Sequence, residues 1–268
     1  MGGTSSLKAN THSVNVIVPF SGPSTDLAKS CFEGIAKQEC DCRLIIVSDM
    51  AEEWAEIVNL AQKIVGGEIQ HVVLPPPRKG FVQAINAGLR CCHRDLDVLL
   101  LNSDATMARG CLDGLINATR GSEKIGVIGP LTNDRGHQSI VQHPELAEEA
   151  GLDSKDIASL SADAISELVA GNSWREVHTV SFFCALLANK AVKTIGGLSN
   201  HKHLQHGLWA DNEWCLRAEK AGFRLALHLG AFCDHNKQSQ TFARLKLPRE
   251  QWKRQTAKWY FNQFGRQY

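Results

Sequence analysis

The 268-residue sequence lacks the glycine-rich motifs that bind nucleotide phosphates in many α/β proteins. Neither GxGxxG nor GxxxxGK[ST] follows a predicted strand, which excludes a Rossmann dinucleotide site and a P-loop. A nucleoside diphosphate bound by this chain therefore needs another source of positive charge. A divalent cation held by carboxylates is the usual alternative.

Net charge, long apolar runs and paired cysteines are also scarce. The 29 Lys and Arg residues nearly balance the 28 Asp and Glu residues, and a net charge of +1 gives no reason to expect a nucleic-acid partner. No stretch reaches the ~20 apolar residues of a membrane span, and no signal-peptide core opens the chain. The nine cysteines form no CxxC pair, so we expect no zinc ribbon, and reduced thiols indicate a cytoplasmic protein.

Apolar runs alternate with segments of helical spacing from residue 14 to residue 104. The runs VNVIVPF, CRLIIVS, IQHVV and DVLLL predict four buried strands. This alternation predicts an α/β fold in which helices sandwich a mostly parallel central sheet. Because the carboxyl ends of parallel strands share one edge of the sheet, the polar segments that follow these strands form a candidate binding site.

The fourth predicted strand, Val98–Leu101, runs directly into Asn102, Ser103 and Asp104. An Asn-Ser-Asp triplet is common in turns and at helix N-termini, so it has an ordinary structural interpretation. It also lies where open α/β sheets bind ligands, and a carboxylate at that point suits a metal or a ribose. The triplet alone leaves both interpretations open.

Five blocks, in order along the chain, resemble the family 2 glycosyltransferases with the GT-A fold, and specifically rhamnosyltransferase-like members. They are VSD with LLLNSDA, KGFVQAINAGLR, GPLTNDRGHQS, ADNEWCLRAEKAGFRL and DHNKQSQTF. The acidic block ADNEWCLRAEKAGFRL is the most specific of the five. The resemblance implies one catalytic domain over residues 13–242, with a Rossmann-like nucleotide-binding half at 13–105 and an acceptor-binding half at 106–242.

The resemblance also implies a site for a nucleoside-diphosphate sugar and a divalent cation, Mn²⁺ or Mg²⁺. The first carboxylate of the family's DxD-like triplet is replaced by Asn102 here, so Asp104 is the expected metal ligand, together with His235. The residues expected to contact the nucleotide-sugar are Pro19, Phe20, Asp49, Lys79, Gly80, Asn86, Asn102, Ser103, Asp104 and Lys237.

Sugar transfer requires a general base that removes a proton from the acceptor hydroxyl. The family places its catalytic base at the position of Asp211, and Ala210 replaces the acid that precedes it. Glu213 is the second expected catalytic residue, and it could orient Asp211 or hold Arg217 four residues on. Asp211 also has an ordinary interpretation, as the N-cap of a helix that begins at Asn212.

Three segments flank or interrupt the expected domain. Residues 1–12 are small and polar, which predicts a flexible leader, and residues 143–176 read as an acidic helical insertion. Residues 243–268 are basic and aromatic and predict a helix. That helix could dock on the domain or on a second subunit in a homodimer, or contact the inner face of a membrane peripherally.

Together these features predict a metal-dependent inverting glycosyltransferase with a glycan or lipid-linked acceptor. One alternative is a nucleotidyltransferase acting on a sugar phosphate, although PFSGPSTD lacks the basic residues that such enzymes place after the first strand. The other alternative is an inactive nucleotide-sugar or glycan-binding module, because Asn102 and Ala210 depart from the family pattern.

Overall fold

The computed structural model describes residues 13–22, 24–48, 54–76, 80–134, 136–149, 162–168, 173–236 and 248–265. The predicted leader at 1–12 and much of the predicted insertion lie outside the described residues. The strands are β1 (Val14–Phe20), β2 (Cys42–Ser48), β3 (Ile69–Val73), β4 (Val98–Leu101), β5 (Ala105–Met107), β6 (Ile125–Leu131), β7 (Trp174–Glu176), β8 (Cys184–Leu187) and β9 (Arg224–His235). The α-helices are α1 (Thr25–Ala36), α2 (Trp54–Ile64), α3 (Phe81–Cys91), α4 (Cys111–Gly121), α5 (Pro144–Glu149), α6 (Ala162–Leu168), α7 (Asn189–Ile195), α8 (Ala210–Lys220) and α9 (Arg249–Phe264).

All nine described strands join one sheet, which confirms the predicted α/β fold class. The order is β3-β2-β1-β4-β8-β6-β9-β5, and β7 pairs with β9 outside this path. Strands β1 to β4 are parallel to one another, as predicted for the first half of the chain. Strand β8 runs antiparallel to both β4 and β6, so the sheet becomes mixed beyond β4.

Helices cover both faces because each central strand sends apolar side chains alternately to the two sides. Val16 and Val18 of β1 belong to a core on one face that also takes in Phe32 of α1. Ile17, between them in sequence, belongs to the core on the other face, with Trp214 of α8. Helices α1, α2 and α4 thus cover one face, and α3, α7 and α8 cover the other.

Two short strands were not predicted from the sequence. Strand β7 lies inside the segment predicted to be a helical insertion and pairs with β9 from Trp174 opposite His228. Strand β5 follows Asp104 directly and pairs antiparallel with the end of β9, with Ala105 opposite His235. Each strand has only three residues, which is too few to show a period of two in the sequence.

Within the basic and aromatic C-terminal segment, Arg249–Phe264 form helix α9, which packs against the domain. Thr256 and Tyr260 are fully buried in this contact. The Thr256 hydroxyl donates to the carbonyl of His203 (3.0 Å), and the Tyr260 hydroxyl donates to the carbonyl of Asn212 (3.3 Å). Within the described part of the chain, no helix combines the length and apolar character needed to cross a bilayer.

Asn86 of α3 joins the first half of the chain to the segment before α8. Its side-chain amide donates to the carbonyl of Leu198 (2.8 Å), and its side-chain oxygen accepts from the amide N–H of Leu198 (2.8 Å). The residue is buried, so both bonds lie away from water. Both ends of the amide therefore serve the fold.

Asn86→Ala should destabilise the protein because it leaves the buried N–H and carbonyl of Leu198 without partners. We expect a loss of about 2 kcal/mol in the free energy of unfolding, measured by urea denaturation at neutral pH. Asn200→Ala is the matched control, since the exposed Asn200 accepts from the same Asn86 amide (3.2 Å). Equal losses for the two variants would contradict this assignment.

Candidate active site

A cavity of about 540 Å³ opens at the carboxyl ends of β1 and β4. Strand β1 contributes Pro19 and Phe20, and the turn after β4 contributes residues 102–104. This is the edge at which open α/β sheets bind ligands. Further lining residues come from the loop after β6, from the approach to β8, and from the segment before α8: Thr132, Asp134, Gly136, His137, Gln138, Ser181, Phe182, Phe183, His206, Gly207, Leu208 and Asp211.

Asp104 and His235 meet in this cavity across the β5–β9 pairing. Oδ1 of Asp104 lies 3.5 Å from Nε2 of the His235 ring, and both side chains are largely buried. The other ring nitrogen, Nδ1, lies 3.2 Å from Oδ2 of Asp134, and the ring stacks on Phe183 at 4.7 Å between centroids. In the tautomer in which Nδ1 donates its proton to Asp134, Nε2 carries the lone pair that a metal requires, which is the usual arrangement at metal-ligating histidines.

The pair of donors, one carboxylate and one imidazole, fits a divalent cation that is bound together with its substrate. No group of three or more His, Cys, Asp or Glu side chains is arranged to hold a metal among the residues that the structure describes. Mg²⁺, which takes few protein ligands, completes its shell with water and with substrate phosphate oxygens. Asp104 and His235 together therefore suit a cation that enters with a diphosphate.

Asp211 also lines this cavity, from the first turn of α8. Its Oδ1 accepts the backbone N–H of Asn212 (2.9 Å), and the backbone of Phe182 also hydrogen-bonds to the carboxyl. Burial nevertheless raises the pKa of Asp211 to about 6, because removing the carboxylate from water outweighs these hydrogen bonds. The group is poised to gain or lose a proton near neutral pH.

Helix α8 begins at Ala210, so the alternative interpretation of Asp211 as the N-cap of this helix is wrong. The N-cap is Trp209, which has a left-handed backbone with φ of 63°. Gly207 precedes it with φ of 93°, and the N–H of Ala210 bonds to the carbonyl of Gly207 (3.2 Å). This turn directs Asp211 into the cavity while Trp214 enters the core.

Glu213 does not line the cavity. Its carboxylate forms a bidentate ion pair with Arg217 one turn along α8, at 2.8 and 2.9 Å. Arg217 in turn donates to the carbonyls of Ile195 (2.8 Å) and Gly197 (2.9 Å). The structure therefore places Glu213 in a buried network that positions α8, which is one of the two roles considered from the sequence.

Eight of the predicted site residues line one cavity: Pro19, Phe20, Gly80, Asn102, Ser103, Asp104, Asp211 and His235. Gly80 is the N-cap of α3, with φ of 78°, and a Cβ there would lie 2.7 Å from the carbonyl oxygen of Gln205. Asn86 lies outside the lining, since its amide binds Leu198. Asp49, Lys79 and Lys237 lie outside the described residues.

Asp134, His137 and Arg249 line the cavity without having been predicted as site residues. Asp134 and His137 lie within the GPLTNDRGHQS block. The resemblance of this block to the family pointed to the site, but it did not show which of its residues line the cavity. Arg249 lies in a run of basic residues in which no single position stands out.

The sequence and fold have recognisable relatives. Residues 12–262 match the model of a family described as glycosyltransferase like family 2. No curated protein matches the sequence.

Three solved structures share the fold at low sequence identity. The mannosyltransferase PcManGT from Pyrobaculum calidifontis, in complex with GDP-Man and Mn²⁺, is 17% identical with a TM-score of 0.58, over 86% of this chain and 59% of that chain. S. aureus TarS 1–349 in complex with UDP-GlcNAc is 14% identical with a TM-score of 0.58, over 86% and 60%. GalNAc-T7 with UDP, GalNAc and Mn²⁺ is 12% identical with a TM-score of 0.53, over 84% and 44%.

The chain thus spans 44% to 60% of the length of these three chains, and the shared part is the GT-A fold. Since the family match extends over nearly the whole sequence and the fold agrees with it, the protein belongs to glycosyltransferase family 2.

Proposed function

We propose that this protein is a metal-dependent inverting glycosyltransferase that moves a sugar from a nucleoside-diphosphate sugar to a hydroxyl of a glycan or lipid-linked acceptor. The observation that carries the proposal is that Asp104, His235 and Asp211 line one cavity at the carboxyl edge of the sheet. The complexes of PcManGT with GDP-Man and Mn²⁺ and of TarS with UDP-GlcNAc support this class of donor.

The donor would lie across the ends of β1 and β4. Pro19 and Phe20 would line the nucleotide end, and Asp104 and His235 would hold the cation beside the diphosphate. When bound there, the cation offsets the negative charge that grows on the leaving nucleoside diphosphate. Asp134 keeps the His235 ring oriented through its contact with Nδ1.

Asp211 acts as the general base for the acceptor hydroxyl. Its backbone partners Asn212 and Phe182 fix the direction of the carboxylate, which limits the positions from which a hydroxyl can approach. A raised pKa near 6 makes the carboxylate a stronger base than an exposed aspartate while leaving it ionised at neutral pH. Direct displacement by the deprotonated oxygen inverts the anomeric centre, as expected for this family.

A panel of UDP, dTDP, GDP and CDP, each with and without Mn²⁺, tests the donor site by thermal shift. We expect one diphosphate to stabilise the protein more in the presence of Mn²⁺, since a ligand at a hundred times its Kd adds ~2.7 kcal/mol. Asp104→Asn should remove the Mn²⁺-dependent part of the shift.

Asp95→Asn is the control for this panel, because Asp95 is an exposed carboxylate that pairs with Lys193 (3.0 Å) away from the cavity. It should respond to the diphosphates as the wild-type protein does. If none of the four diphosphates shifts the wild-type melting temperature, the protein is not a glycosyltransferase of this kind.

The pH dependence of donor hydrolysis tests the base. With water as acceptor and a nucleotide-sugar of the nucleoside diphosphate that the panel identifies, kcat/KM should fall about tenfold per pH unit below pH 6, as Asp211 takes up a proton. Asp211→Asn should lower kcat by at least about 100-fold while leaving the diphosphate shift intact. A wild-type profile that is flat from pH 5 to pH 8 would exclude Asp211 as the base.

The raised pKa of Asp211 also predicts how stability depends on pH. The folded protein binds this proton more tightly than the unfolded chain does, so the wild type gains stability as the pH falls through 6. Asp211→Asn has no proton to gain, so its melting temperature should equal or exceed that of the wild type at pH 8, with the difference closing toward pH 5. If the melting temperatures of the wild type and of Asp211→Asn change with pH in parallel, the raised pKa of Asp211 is contradicted.

A further inference from the structure

Among the residues that the structure describes, the cavity lining carries more negative than permanent positive charge. The residues that the structure describes there include three carboxylates, Asp104, Asp134 and Asp211, and a single Lys or Arg side chain, Arg249. A diphosphate or another phosphate group adds further negative charge to this space. A guanidinium is well suited to offset that charge, because it can donate two parallel hydrogen bonds to phosphate oxygens.

Arg249 reaches the cavity because helix α9 docks on the domain. Arg249 is the first residue of α9, and it lies three, seven and eleven residues before Trp252, Thr256 and Tyr260. At 3.6 residues per turn, these spacings place all four on one face of the helix. Since Thr256 and Tyr260 are fully buried against the domain, this is the docking face.

The surface that receives α9 is itself part of the cavity wall. The Trp252 ring contacts His206 edge to face at 4.8 Å, and Trp259 stacks on His201 at 4.1 Å between centroids. His206 lines the cavity, and the Tyr260 hydroxyl bonds to the backbone of Asn212, the residue after Asp211. Docking of α9 is therefore coupled by direct contact to the wall that carries the candidate base.

Among the described residues, the guanidinium of Arg249 pairs only with Glu250, the next residue, at 3.5 Å. Both side chains are more than half exposed. An exposed pair of this kind contributes little, so a phosphate can displace Glu250 readily. The other basic residues of α9 include Arg254 and Lys258, which are exposed and lie on the opposite face of the helix.

We propose that Arg249 binds a phosphate group of a substrate in the cavity, and that α9 is the element that delivers it. The inference rests on the proposed function, since it concerns the same cavity. Two substrates could supply the phosphate: the donor, through its diphosphate, or an acceptor that itself carries a phosphate. The consequence is that the C-terminal helix completes the binding site as well as packing on the domain.

Anion binding by the full-length chain tests the proposal. Calorimetric titrations with pyrophosphate plus Mn²⁺, with the nucleoside diphosphate chosen from the panel, and with inorganic phosphate in the presence of that diphosphate would compare Arg249→Ala with Arg254→Ala. Loss of a charge-assisted bidentate contact should weaken binding about tenfold or more in Arg249→Ala. Arg254→Ala should stay within about twofold of the wild type, because it removes an equal charge from the opposite face.

The three titrations distinguish the two sources of phosphate. Weaker binding of the nucleoside diphosphate and of pyrophosphate assigns Arg249 to the donor. Unchanged diphosphate binding with weaker binding of inorganic phosphate assigns it to the acceptor. If Arg249→Ala and Arg254→Ala bind all three anions equally well, the proposal is wrong while the proposed function stands.

The same titrations separate a failure of the proposed function from a failure of this inference. A wild-type protein that binds pyrophosphate through Arg249 but binds no nucleoside diphosphate would overturn the function and keep the inference. A wild-type protein that binds none of the three anions would overturn both. Arg249 is exposed, so its substitution should leave the melting temperature of the unliganded protein unchanged.

The role of α9 in delivering Arg249 needs a variant that disturbs docking without replacing a residue of the cavity lining. Tyr260→Ala removes a fully buried side chain from the docking face, and faster proteolysis within α9 would report undocking. Its loss of anion binding should match that of Arg249→Ala, and the double variant should lose no more than either. Additive losses would show that Arg249 reaches the anion without the docked helix.

Discussion

The pairing of β5 with the end of β9 is the constraint on which the candidate site depends. Three residues of β5 pair antiparallel with the last three of β9, and the register sets Ala105 opposite His235. One more hydrogen bond ends the ladder: the N–H of Asn236 donates to the carbonyl of Asp104 (3.0 Å). A shift of one residue in the register of β5 against β9 would turn the side chains of β5 to the other face of the sheet. This short ladder therefore decides whether Asp104 and His235 face each other.

The loop after β6 holds this ladder in place. Oδ1 of Asn133 accepts the backbone N–H of His235 (2.9 Å), and the Asn133 amide donates to Asp234. Asp134, the next residue, contacts the His235 ring. Strand β6 therefore does more than extend the sheet, because the loop that follows it fixes both the backbone and the ring of His235, one of the two candidate metal ligands.

The sequence predicted the parts of the fold that have long periodic signals. Strands β1 and β2 each have seven residues that are mostly buried, and the helices between the strands carry clear apolar faces, so their existence and order were predictable. Strands β5 and β7 were missed because three residues carry no periodicity, and pairing with β9 is what makes them strands. The sheet is mixed beyond β4 because of β8, whose direction depends on chain reversals that no local pattern reveals.

The candidate site was predictable where a residue lies in the turn after a strand or near the start of a recognisable block. Asp104 lies in the turn after β4 and Asp211 near the start of the acidic block, and the geometry brings both to one cavity. Glu213 and Asn86 were predicted from the same blocks, yet their polar groups hold Arg217 and Leu198. A motif shows which residue types recur together, and it does not separate those that face a ligand from those that position the backbone around it.

The C-terminal helix shows why composition alone could not decide between docking and membrane contact. A helix of either kind can combine aromatic with basic residues, and α9 contains residues of both types. In the structure, Trp252, Trp259 and Tyr260 contact the domain, which leaves Phe261, 46% exposed, as the large apolar side chain outside the docking face. If α9 left the domain to lie on a bilayer, it would carry Arg249 away from the cavity and expose the His201–His206 side of the wall. If Arg249 belongs to the site as proposed, α9 cannot place all its aromatic residues on a membrane and complete the cavity at the same time. A membrane contact made by the docked helix would use Phe261 and the outward basic residues.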